Sequence, residues 1–128
     1  MGKRECELTL LCEVAQKRKE AIAQENPGIF AREKIETDET LREEYVVVTL
    51  IKGKEVKGYE FIETASTFLI EVKAERYTDI LKRGYYLGIV VPGQSRDRAL
   101  MLRSQFQDKE LMNPAFFVYD DDGNINPV

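Results

Sequence analysis

Residues 67–92 constrain the fold of this chain more than any other stretch, because three secondary-structure signals follow one another there with no long loop between them. Thr67 to Lys73 reads as a strand whose beginning, Phe68-Leu69-Ile70, is apolar on both faces. Ala74 to Arg83 has helical spacing in Tyr77, Ile80 and Leu81, and Gly84 stands where a helix ending in Lys-Arg takes a left-handed cap. Tyr85 to Pro92 is then too continuously apolar for a strand with one wet face. Strand, short helix and buried strand predict a right-handed crossover between parallel neighbours.

Upstream, Tyr45 to Ile51 carries three consecutive valines, Lys52-Gly53-Lys54 turns the chain, and Val56 to Glu63 is a second strand signal. With Thr64-Ala65-Ser66 as a second short connection, the runs 45–51, 56–63 and 67–73 predict an antiparallel meander. Residues 5–24 read as an amphipathic helix through Leu8, Leu11, Cys12, Ala15 and Ile22, ended by Asn26-Pro27-Gly28. The charged segment 29–44 reads as a flexible connector, with Thr37 to Thr40 able to cap a turn. Ser95 is placed to cap a helix from Arg96 to Gln107, Ala115 to Tyr119 is a last strand, and residues 120–128 read as a polar tail. The expectation is one α/β domain over residues 1–128, with a mixed four- to five-stranded sheet flanked by helices. Its core draws on Leu11, Val47, Phe68, Ile70, Ile89, Val91 and Leu102.

A chain of 128 residues supports one core of this kind. No apolar run approaches the roughly 20 residues of a membrane-spanning helix. The charged start, Lys3-Arg4-Glu5, lacks the apolar centre of an export signal. Cys6 and Cys12, placed on one helix, point about 120° apart and are poorly set to bridge. These features predict a cytoplasmic protein with reduced thiols and no membrane partner.

The sequence contains no histidine, which excludes Ser-His-Asp and Cys-His catalysis and histidine-bound zinc. Any metal held by the remaining groups would be a hard ion such as magnesium or manganese. The net charge of −4 argues against a protein that coats nucleic acid indiscriminately. Between Lys73 and Lys109, however, eight basic residues face four acidic ones, a local balance of +4.

Glu71 and Lys73 are the first candidates for chemistry. On a strand they would share one face about 7 Å apart at the rim of the sheet, where a carboxylate can hold a divalent ion and an ammonium can orient water. The same tripeptide at Glu55-Val56-Lys57 sits at a turn, so the pattern alone has little specificity.

The run Phe68-Leu69-Ile70-Glu71-Val72-Lys73-Ala74, with the helix after it and the strand Tyr85 to Pro92, resembles the PD-(D/E)XK, or restriction-endonuclease-like, superfamily. In that family a helix precedes a strand meander, an acidic residue on the second strand shares the metal with the Glu of the Glu-x-Lys, and a crossover helix leads to another strand. The resemblance implies a metal-dependent nuclease acting on DNA or RNA, with Glu60 and Glu71 as ligands of magnesium or manganese and Lys73 positioning water. Glu60 lies eleven positions before Glu71, in Tyr59-Glu60-Phe61 rather than the family's Pro-Asp, and Glu63 is the fallback. Glu13 could supply the supporting carboxylate some members carry on the first helix, with Glu5, Glu7 and Glu20 as competitors for that role.

Arg96, Arg98 and Arg103, following Gly93-Gln94-Ser95, together with Arg76, form a candidate phosphate or nucleic-acid contact. Asp120-Asp121-Asp122-Gly123 lacks the spacing of a calcium loop and reads as a turn. The alternative to a nuclease is a non-catalytic binding or regulatory module, of phage or mobile-element type, whose partner is another protein or a second copy of the chain.

Overall fold

The computed structural model describes residues 3–111 and 113–128, with the side chains of residues 3–6 and 70–72 outside that description. The elements run α1 (Lys3–Glu25), β1 (Phe30–Thr37), β2 (Glu44–Lys52), β3 (Glu55–Ile62), α2 (Ile70–Lys82), β4 (Tyr86–Pro92), a 3-10 turn (Gly93–Ser95), α3 (Arg96–Asp108), β5 (Ala115–Tyr119) and β6 (Ile125–Pro127). The strands form one mixed sheet in the order β1-β2-β3-β4-β5-β6. The β1–β2, β2–β3 and β5–β6 pairs are antiparallel, and β3–β4 and β4–β5 are parallel. The α/β class and the mixed sheet are those expected, with six strands in place of four to five.

Three expectations are corrected. The segment 29–44, read as a connector, contains β1, which pairs with β2 along its whole length. Its charges mislead because it is an edge strand, where alternate side chains meet solvent and Arg32 and Lys34 blunt the free edge. The antiparallel meander is therefore β1-β2-β3, and the run Thr67 to Lys73 is no strand.

Thr64 and Thr67 cause that second change. The Thr67 hydroxyl oxygen accepts from the Thr64 N–H (2.8 Å) and the Thr64 hydroxyl oxygen accepts from the Thr67 N–H (3.0 Å), closing a tight turn after β3. The Lys73 N–H then donates to the Leu69 carbonyl (2.8 Å), so the chain is already helical where Glu-Val-Lys was expected to extend. Lys73, Tyr77 and Leu81 are buried at four-residue spacing, and this packing overrides the local strand preference of the run. The helix stops as expected. Gly84 adopts φ 81°, its N–H donates to Leu81 and that of Tyr85 to Ile80, the paired bonds of a Schellman cap.

The third correction is β6. Residues 120–128 are not a free tail, because Asp120 Oδ1 accepts from the N–H groups of Asp122 and Asn124, both at 2.9 Å, and turns the chain back along β5. The Lys17 ammonium of α1 donates to the Gly123 carbonyl (2.9 Å) and clamps this hairpin.

Two cores lie on the two faces of the sheet. Leu11, Val14, Ala15 and Ile22 of α1 cover Val46, Val48, Ile62 and Val90. Tyr77, Leu81, Ala99, Leu102 and Phe106 of α2 and α3 cover Val47, Phe61, Ile89 and Val91. Of the expected core, Leu11, Val47, Phe68, Ile89, Val91 and Leu102 are buried. Ile70 lies among the side chains outside the description.

Candidate functional site

Because successive strand residues alternate between faces, Tyr59 and Phe61 of β3 look toward α2 while Glu60 looks toward α1. Glu60 is fully buried, and Arg18 of α1 meets it bidentately, Nε to Oε1 at 2.7 Å and Nη2 to Oε2 at 2.8 Å. The Tyr86 hydroxyl donates to Oε2 as well, at 2.7 Å. The guanidinium lies over the Phe117 ring, 4.0 Å from its centroid. Burial works against the Arg18 charge, yet the hydrogen bonds and charge of Glu60 hold its pKa above the ordinary arginine value. Burial, then the Glu60 charge, raises that of Tyr86. Glu60 is thus the fixed anion of a neutralised pair, with both oxygens engaged.

Lys73 is on the other side of the sheet. Its ammonium lies 3.2 Å from Glu63 Oε1 and 3.3 Å from the centroid of the Tyr45 ring, and Lys73 and Glu63 are both buried. Glu63 follows β3 directly and is held by its N–H to the Val90 carbonyl (2.8 Å). The Tyr119 hydroxyl donates to the Glu63 carbonyl at 2.6 Å. Burial pushes the Glu63 carboxyl up to about 7 in spite of Lys73 beside it. Burial raises the neighbouring Tyr77 hydroxyl well above its usual range too. Among the described residues neither Glu63 Oε2 nor the Tyr77 hydroxyl has a hydrogen-bond partner, although the nearby Tyr77 hydroxyl works to lower the Glu63 pKa.

Glu71 falls in the first turn of α2, and its side chain is outside the description. Glu60 and Lys73 do not converge, while Glu63, the fallback acid, does meet Lys73. Glu13 lies against the Gly123 turn rather than beside Glu60. Among the described residues, no three of Cys, Asp and Glu come together as they would around an ion. The magnesium or manganese implied by the resemblance does not fit Glu60 as it stands, because an ion there would have to displace both Arg18 and Tyr86.

The arginines divide similarly. Arg76 donates to the Tyr45 hydroxyl (2.7 Å) and to Glu36 Oε2 (3.2 Å), beside the α2 face of the sheet. Arg103 donates to the Val128 carbonyl (2.8 Å) and lies over Phe116. Arg96 and Arg98 are exposed at the start of α3, where Ser95 makes no side-chain cap. Arg76, midway along α2, lies instead over the Phe61 ring, 4.9 Å from its centroid.

Sequence reading missed Arg18, Tyr86 and Gly88. Only Gly88 left a signal, as a lone glycine inside an apolar strand, which marks close approach of another group. Arg18 is one of several charges along α1, and no periodicity distinguishes it. Compared with family models, curated proteins and solved structures, the chain matches none.

Proposed function

We propose that this chain is a nuclease-like module that binds a partner without cutting it. Helix, antiparallel three-strand meander, crossover helix and parallel strand follow in the order that the resemblance to the restriction-endonuclease-like superfamily implies. In that topology the Glu-x-Lys belongs on the strand that enters the crossover. Here that strand is β3, and it carries Glu60-Phe61-Ile62, with the buried Ile62 where the lysine would stand. The observation that carries the reading is the bidentate Arg18–Glu60 pair, which puts a cation of the protein where a catalytic metal would bind. Buried charges of this kind hold one another in place, and removing either partner leaves the other stranded.

The test is incubation of the chain with single- and double-stranded DNA and RNA in magnesium or manganese, alongside calorimetric titration with manganese. The expected result is intact substrate and no saturable heat. Cleavage that Lys73→Ala or Glu60→Gln abolishes in a folded protein would overturn the proposal and restore the metal-dependent nuclease.

A further inference from the structure

The face of β3 opposite Glu60 carries a different chemistry. A half-open cleft of about 250 Å³ lies between the sheet and α2, lined by Tyr59, Phe61, Arg76, Ile80, Arg83 and Tyr85, with Asp79 as its one acid. Arg76, Ile80 and Arg83 fall on one stripe of α2 by their spacing. The Tyr59 and Tyr85 rings meet edge to face, 5.9 Å between centroids, and both are half-buried.

The same surface continues onto the edge of the sheet. Tyr59 pairs with Thr49 and Thr49 with Arg32, so Arg32 stands in the row of Tyr59, two strands or roughly 10 Å away. On the same face of β1, Lys34 follows Arg32 and Phe30, 62% exposed, precedes it. Outside the buried Lys73–Glu63 pair, this face carries Arg32, Lys34, Arg76 and Arg83 against Glu36 and Asp79, a positive patch on a chain whose net charge is −4. Arg32 and Arg83 are exposed and form no ion pair among the described residues.

We infer that this face binds single-stranded nucleic acid, with bases against Tyr59 and Tyr85 and phosphates on Arg32 and Arg83. Aromatic rings interleaved with unpaired cations suit a ligand that alternates flat apolar faces with negative charge. A duplex keeps its base faces stacked inside, and an acidic peptide would use the arginines but leave the tyrosines without a role. The inference deepens the non-cutting reading by naming what is held, and it places the ligand on the side of the sheet away from Glu60.

Fluorescence anisotropy of a labelled oligothymidylate 20-mer, titrated with the intact chain at low and moderate salt, tests it. Binding is expected to weaken with salt, as phosphate contacts require. Arg83→Glu, Arg32→Glu and Tyr85→Leu, each confirmed folded by circular dichroism, should each weaken it about fivefold or more. Arg98→Glu, at the other end of the parallel strands, should leave it unchanged, and the matching duplex should bind more weakly than the single strand. Lack of any anisotropy change, equal loss in Arg98→Glu and Arg83→Glu, or full displacement by polyglutamate would each overturn the inference. Cleavage of the bound strand in manganese would instead overturn the non-cutting reading and leave this site standing.

Discussion

Gly88 of β4 lies directly across the parallel register from Glu60 of β3, and the space its missing side chain leaves is filled by the Glu60 carboxylate. A Cβ at position 88 would sit 2.6 Å from Glu60 Cγ and 2.9 Å from Oε2. The carboxylate is pinned by Arg18 and Tyr86, so it has little freedom to yield. Gly88→Ala is expected to destabilise the protein by about 1–3 kcal/mol in urea unfolding. Combined with Glu60→Ala, the substitution should cost less than the sum of the two, since the clash is gone. Strict additivity would show that the glycine is not there for Glu60.

Removing Arg18 while keeping Glu60 leaves a buried carboxylate facing Phe117 and one tyrosine hydroxyl. Arg18→Met should therefore cost about 3–5 kcal/mol at neutral pH. Adding Glu60→Leu should recover most of that loss, because two apolar groups replace two charges. A double variant no more stable than Arg18→Met alone would refute a compensated pair.

Glu63 gives the fold a pH dependence of opposite sign to that of ordinary paired carboxylates. Its folded pKa of about 7 lies above the ordinary glutamate value of 4.5, so the native state holds a proton that the unfolded chain gives up. The stabilisation is complete below pH 4.5, declines as pH rises, and is lost above about 7. Over that window the wild type should lose about 3 kcal/mol relative to Glu63→Gln, which cannot ionise. Urea unfolding of both proteins at several pH values between 5 and 8 measures this. Parallel stability profiles would contradict it.

The hairpin after β5 rests on a left-handed glycine. Gly123 has φ 80°, and a Cβ there would come 2.8 Å from Glu13 Oε2. The Glu13 side chain can move aside, so the expected cost of Gly123→Ala is the backbone term of about 1–2 kcal/mol. Faster amide exchange at Asn124 should accompany it, because the Asn124 N–H is tied to Asp120 across the same turn. An unchanged unfolding midpoint would show that the hairpin adds nothing to global stability.

Much of this architecture was legible from hydrophobic pattern alone. The valine run of β2, the continuous β4 and the Gly84 cap each name their element because burial on both faces, or a required positive φ, leaves one solution. β1 was hidden because an edge strand is allowed the charges of a loop. The run from Thr67 to Lys73 was misread because a β-branched, apolar segment carries no local mark of helix, and the decision came from the Thr64–Thr67 turn and from Tyr77 packing against Phe61. The site was less legible still. Pairing Glu60 with Lys73 required both to face one side of the sheet, and strand alternation together with the early start of α2 separates them. Arg18, 42 positions from Glu60 in sequence, meets it only through the packing of α1.

The glycine opposite Glu60 has one more consequence, for how β3 finds its place. Sliding β3 by one residue against β4 would bring Tyr59 to Gly88 on the α1 side and turn Glu60 toward Phe61's side of the sheet, into an aromatic core with no arginine to meet it. The space at Gly88 is filled by the carboxylate that Arg18 anchors, so it works as a keyway that favours this alignment of the strand. The side of β3 that carries Tyr59 is presented outward by the same fit, and the chemistry of one surface is thereby set by a lock on the other.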